Sequence, residues 1–131
     1  MKIVIVIARF LLGLIFLVFG LNGFLHFIPA SLPSGTAGQF VGALFVSNYL
    51  VVVFLFQLIS AVLLLINRYV PLALTLLAPI IVNILLFHLL MAPTGLSLAI
   101  VVAVLWIVVF LGVRSAFCGL LQQRVSVEAL R

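Results

Sequence analysis

Charge is what this sequence has least of. A single acidic residue, Glu128, stands against six Lys and Arg in 131 residues. The charged fraction is 5%, far below the roughly 25% of a soluble domain, so the chain cannot cover a water-facing surface with ionic groups. No charged residue occurs between Arg9 and Arg68, or between Arg68 and Arg114. Each interval is much longer than the roughly 20 apolar residues that cross a bilayer core. With one lone carboxylate there is no acid–base pair, and proton transfer would fall to histidine. Cysteine is nearly absent as well. Cys118 alone can form neither an internal disulfide nor a cysteine metal cage. His26 and His88, with no carboxylate or thiol nearby, make a poor first shell for zinc or iron, so no metal is expected. A bis-histidine haem would require the two rings to meet on adjacent helices. No phosphate loop and no nucleophile with a base are present. The formal charge of +5 does not indicate nucleic acid as a partner. The basic residues stand singly at the ends of apolar stretches, whereas a nucleic-acid surface clusters them.

What the sequence does have is apolar length: 69% of its residues are hydrophobic. Four apolar segments are read, over 3–28, 40–66, 71–91 and 96–117, within a single domain covering 1–131. Between the first two lies 29–38, rich in Pro, Ser and Gly and read as a loop. Asn67, Arg68 and Tyr69 form a tight turn, and Pro71 suits the first turn of the following helix. Ala92, Pro93, Thr94 and Gly95 end the third segment. The first apolar run exceeds the roughly 7–15 residues of a signal-peptide core, so it is read as a retained helix. Backbone groups in lipid must be bonded internally, which leaves helices or closed barrels. Unbroken runs such as Val51 to Phe56 lack the alternation of barrel strands. The expected fold is therefore an all-α membrane protein, a bundle of four transmembrane helices. Four spans place Lys2, Arg68, Arg114, Arg124 and Arg131 on one side and leave the two opposite loops without Lys or Arg. The cationic side is expected to be cytoplasmic, with both termini there.

Polar side chains at membrane depth are costly, and they tend to face a bundle interior or a cavity. Asn22 and His26, four residues apart, share a face of the first helix. The third carries Thr75, Pro79 and Asn83 as one stripe, with His88 near its end. Pro79 is expected to kink that helix. Gln57 lies mid-span in the second. Matching depths suggests a pocket between the first three spans lined by Asn22, His26, Gln57, Asn83 and His88. The competing reading is that these groups only bond helix to helix, at about 0.6 kcal/mol each. Arg9 either snorkels to headgroups or faces the bundle. Gly13 and Gly20 share its face and would let another helix approach closely. The runs Asn22 to His26 before Pro29 and Asn83 to His88 before Pro93 are alike enough to suggest parallel repeats. Trp106 is read as packing or facing lipid.

The stretch from Ala8 through Gly20-Leu21-Asn22-Gly23-Phe24-Leu25-His26-Phe27 resembles the first helix of the DoxX family. Val70-Pro71-Leu72-Ala73 and Pro79 to His88 resemble its third. The likeness runs from Arg9 to about Gly95 and is weak in the fourth segment. It implies a small four-helix protein of the bacterial cytoplasmic (inner) membrane. The family takes its name from a subunit of a thiosulfate:quinone oxidoreductase, so the resemblance implies a membrane subunit of a redox or respiratory-type complex. Its partners would be the lipid bilayer and other membrane subunits, and its pocket would suit a quinone or lipid-like ligand. The family commonly has Glu where Gln57 stands. Gln cannot ionise, although it can still bond a carbonyl or a histidine. Twelve Phe offer aromatic walls. The alternatives are a structural or accessory subunit that docks through Arg9, Gly13 and Gly20, and a small transporter. The lack of an intramembrane carboxylate argues against a transporter.

Overall fold

The computed structural model describes residues 1–127. Glu128, the one acid, and Arg131, the last cation assigned to the cytoplasmic side, lie outside the described residues. Among the described residues the chain is all-helical, without strands. Five α-helices follow in order: α1 Lys2–Leu25, α2 Gly35–Val46, α3 Tyr49–Leu65, α4 Val70–Leu90 and α5 Leu96–Val113. A 3-10 turn at Pro93–Gly95 precedes α5, and a 3-10 segment, Arg114–Leu121, continues it. The helix α1, the helix α4 and α5 with its flanking turns are each long and apolar enough to cross a membrane. The bent pair of α2 and α3 would make a fourth span.

The helix α1 runs without a proline until its end is forced. His26 takes a left-handed conformation at φ 51° and donates its N–H to the Asn22 carbonyl at 2.9 Å. The Asn22 side-chain oxygen accepts the Ile28 N–H at 2.7 Å. Both residues thus close the helix end, as a left-handed C-cap does, and Pro29 follows.

The segment expected as one helix over 40–66 is two. They meet at Ser47 and Asn48 with a bend of 83°, and the first already begins at Gly35. The Ser47 hydroxyl donates to the Leu44 carbonyl at 3.2 Å and accepts the Tyr49 N–H at 3.4 Å. Asn48 sits at φ 61°. Short polar side chains that bond nearby backbone offer the chain an alternative to helix, and Asn tolerates the left-handed region better than most residues. A run of Val, Phe and Leu on either side hid this break.

The helices α1, α3, α4 and α5 form a closed ring, α1 on α3, α3 on α4, α4 on α5, and α5 back on α1. Leu12 and Phe16 of α1, Leu64 of α3, Leu74 and Leu77 of α4 and Val109 of α5 fill the core. Glycines set the α1–α3 approach. A Cβ at Gly13 would lie 3.0 Å from the Leu65 side chain, one at Gly20 would lie 2.9 Å from Leu58, and one at Gly23 would run into the Phe54 ring. On the opposite side of the ring, Trp106 of α5 donates its indole N–H to the Leu74 carbonyl at 2.9 Å and stacks on Phe110 at 5.2 Å. It packs within the fold.

Candidate functional site

Between α2, α3 and α4 lies a groove of about 760 Å³. The helix α2 contributes Phe40, Val41 and Leu44 to its lining. Phe40 stacks on Phe87 of α4 with ring centroids 5.9 Å apart, which ties α2 across one end. The polar residues in this apolar lining are Gln57 and Tyr49 of α3 and Thr75, Asn83 and His88 of α4.

The α4 contribution follows from helical period. Thr75, Pro79 and Asn83 repeat every four residues and share one face; His88, five residues after Asn83, lies off that stripe but also lines the groove, near the end of α4. Pro71 occupies the first turn of α4, where its missing N–H is harmless. The helix then continues unbroken through Pro79. Pro79 has no N–H for the Thr75 carbonyl one turn back, so that oxygen lacks its usual helical donor.

Each polar α4 side chain in the groove commits a donor to the backbone. The Thr75 hydroxyl donates to the Pro71 carbonyl at 2.8 Å, and the Asn83 amide N–H donates to the Pro79 carbonyl at 2.9 Å. The His88 ring bonds the Ala92 carbonyl through Nδ1 at 2.9 Å. A carbonyl only accepts, so Nδ1 carries the proton, and in the neutral ring Nε2 remains an acceptor. The ring also rests against Gly95, where a Cβ would lie within 2.6 Å of Nδ1.

Gln57 differs. Its side chain is only 6% exposed, it lines the groove, and it takes part in none of the side-chain hydrogen bonds among the described residues. Its amide atoms are not sealed in, since the buried side-chain atom without a partner among the described residues is Ser60 Oγ; the Gln57 amide instead reaches the open space of the groove. Counted from the α3–α4 turn, Gln57 and Pro79 lie at similar depth, about 12–14 Å along their helices at 1.5 Å per residue. The amide therefore opens into the middle of the groove.

Of the five residues expected to share a pocket, the structure brings together Gln57, Asn83 and His88. Asn22 and His26 are not part of the groove. They terminate α1, which lies along the other side of α3, and the exposed His26 ring neighbours Phe45 at 6.3 Å. The two Asn-to-His runs also differ locally. Asn22 and His26 cap a helix, whereas Asn83 and His88 lie within one. The residues missed in the sequence are Phe40 of α2, Tyr49 of α3 and Gly95. Only the uncharged, glycine-spaced start of α2 hinted at a separate helix there.

The Arg9 face is also resolved. Arg9 is 9% exposed, donates an N–H from its guanidinium to the Leu64 carbonyl, and lies over the Phe10 ring at 4.7 Å. Of the two readings of Arg9, the structure has the inward one: the guanidinium turns to the C-terminal turn of α3, whose carbonyls carry partial negative charge. Gly13 and Gly20, expected to admit a neighbouring helix, admit α3 of the same chain.

Compared with family models, with curated proteins and with solved structures, the chain matches none.

Proposed function

We propose that this chain is a four-span integral membrane subunit that holds a quinone or other lipid-like molecule in the groove between α2, α3 and α4. The observation that carries this reading is Gln57, a side chain largely covered by its neighbours whose unpartnered amide faces a mostly apolar, aromatic-walled groove across from Thr75, Asn83 and His88. Natural ligand sites have this make-up, a cavity of roughly 300–1,000 Å³ with apolar walls and a few fixed polar groups. A polar side chain at mid-helix that turns to a cavity and bonds nothing in the protein is free to bond what the cavity holds. Thr75 and Asn83 are exposed along the groove, so a hydrophobic ligand would enter sideways from the lipid.

The four-span topology is part of the proposal. The bent α2–α3 pair serves as the second span, with Lys2, Arg68, Arg114 and Arg124 on the cytoplasmic side of a bacterial inner membrane. The resemblance of the first and third spans to DoxX proteins supports placing the subunit in a redox or respiratory-type assembly. A ligand-free docking role through Arg9, Gly13 and Gly20 is disfavoured, because α3 covers that face.

The test is photolabelling. A photoreactive isoprenoid-quinone analogue is added to the protein in native membranes, with and without excess unlabelled quinone. Competable labelling on peptides containing Gln57 or Asn83 is the expected result. Labelling confined to lipid-facing α5, or labelling that competitor does not reduce, would overturn the reading.

A further inference from the structure

The polar inventory of the groove is lopsided. Thr75, Asn83 and His88 each direct a donor to a backbone carbonyl of α4 or of the turn that follows it. What they leave toward the cavity is mainly acceptor: the Thr75 hydroxyl lone pairs, the Asn83 carbonyl oxygen and the His88 Nε2. The Thr75 backbone carbonyl, deprived of a helical donor by Pro79, adds another. Against these acceptors stand the two N–H groups of Gln57, the one Asn83 amide hydrogen not used on Pro79, and the Tyr49 hydroxyl at the exposed start of α3. A ligand with only acceptors in its head, such as an oxidised quinone, an ester or an ether, would leave most of the α4 row unpaired. A hydroxyl satisfies both sides at once, accepting from Gln57 and donating to an α4 acceptor.

We infer that the groove selects amphiphiles whose head group bears a hydroxyl, so that of a quinone couple it holds the reduced, quinol form in preference to the oxidised form. This rests on reading the groove as a ligand site. It adds the sign of the recognition: the groove supplies acceptors, and the ligand must supply the hydrogen. No electron transfer is part of the inference. The preference is an equilibrium property of the binding site, and it stabilises whichever partner carries the O–H.

The experiment uses probes that differ in that hydrogen alone. A long-chain alkylphenol and its methyl ether, both radiolabelled, are titrated onto the full chain in lipid nanodiscs, with empty nanodiscs measuring partition into lipid. The phenol is expected to bind about fivefold to tenfold more tightly than the ether, the range of one net hydrogen bond. Asn83→Leu is expected to narrow that ratio, while Gln57→Leu weakens both probes. If phenol and ether bind equally, or the ether binds more tightly, the donor preference is wrong and the groove survives as a ligand site. If neither binds above the empty-disc background, the groove reading itself falls. The wild-type ratio decides without relying on a variant that folds poorly.

Discussion

Arg9 on α1 donates a guanidinium N–H to the carbonyl oxygen of Leu64, one residue before the end of α3. The bond crosses the α1–α3 contact at the depth where Gly13 brings the two backbones together. It places a buried cation against the negative end of a helix dipole and ties down a carbonyl at a helix terminus. Arg9→Met is therefore expected to lower stability by about 1–2 kcal/mol, with Arg9→Lys recovering part of the loss. Denaturant unfolding in mixed micelles would measure both. Unchanged stability of Arg9→Met, with a loss of affinity for anionic lipid instead, would return Arg9 to a headgroup role.

Gln57→Leu separates stability from binding. It replaces an amide facing a mostly apolar groove with a shorter apolar side chain and breaks no hydrogen bond of the protein, so unfolding free energy is expected to hold or rise, by up to about 1 kcal/mol. Quinone-analogue affinity is expected to fall about tenfold. A variant that loses stability would show that Gln57 has a partner in the membrane-embedded protein.

Gly95→Ala tests the seat of His88. The Gly95 backbone, at φ −98°, accepts alanine, so the effect is steric: the new methyl meets the imidazole that bonds Ala92. The ring must turn, and a cost of about 1 kcal/mol is expected from the lost bond. Nitrogen NMR of the imidazole is expected to report a changed tautomer balance, whereas an unchanged spectrum would mean that the ring does not rest on Gly95.

Pro79→Ala returns an N–H to the Thr75 carbonyl. Proline is about 3 kcal/mol less favourable than alanine inside a helix, so α4 is expected to gain stability, by about 1–3 kcal/mol. Hydroxyl-bearing probes are expected to bind less well, because one acceptor is then occupied. Equal affinity would remove the Thr75 carbonyl from the row.

Much of this architecture was legible in composition. Long uncharged runs leave the backbone few choices, and the limits of α1, α4 and α5 follow the Pro, Gly and Arg that interrupt them. The Thr75–Pro79–Asn83 stripe was legible because helical period fixes which residues share a face. Other features depend on individual bonds. Asn22 and His26 have the residue types of a polar site, but three to seven residues before Pro29 the same types cap a helix. The Ser47–Asn48 break was overridden in the reading by the apolar residues around it, although Ser and Asn are the residues that compete for backbone partners. The inward turn of Arg9 depends on how α1 packs against the end of α3; that end was read within one residue, but residue types alone do not show which carbonyl the guanidinium meets.

The bend has a consequence for the membrane around the protein. The 17 residues of α3 rise about 25 Å, some 5 Å less than a typical hydrocarbon core. On the proposed topology α2 departs close to a right angle and adds little height. Lipid beside α3 must thin to meet it, while α1 on its far side, with 24 residues, can reach across the full thickness by tilting. Reconstitution into a graded series of acyl-chain lengths should place the optimum on the short side. The dimple formed there lies beside the flank of the molecule where α3 and α4 part.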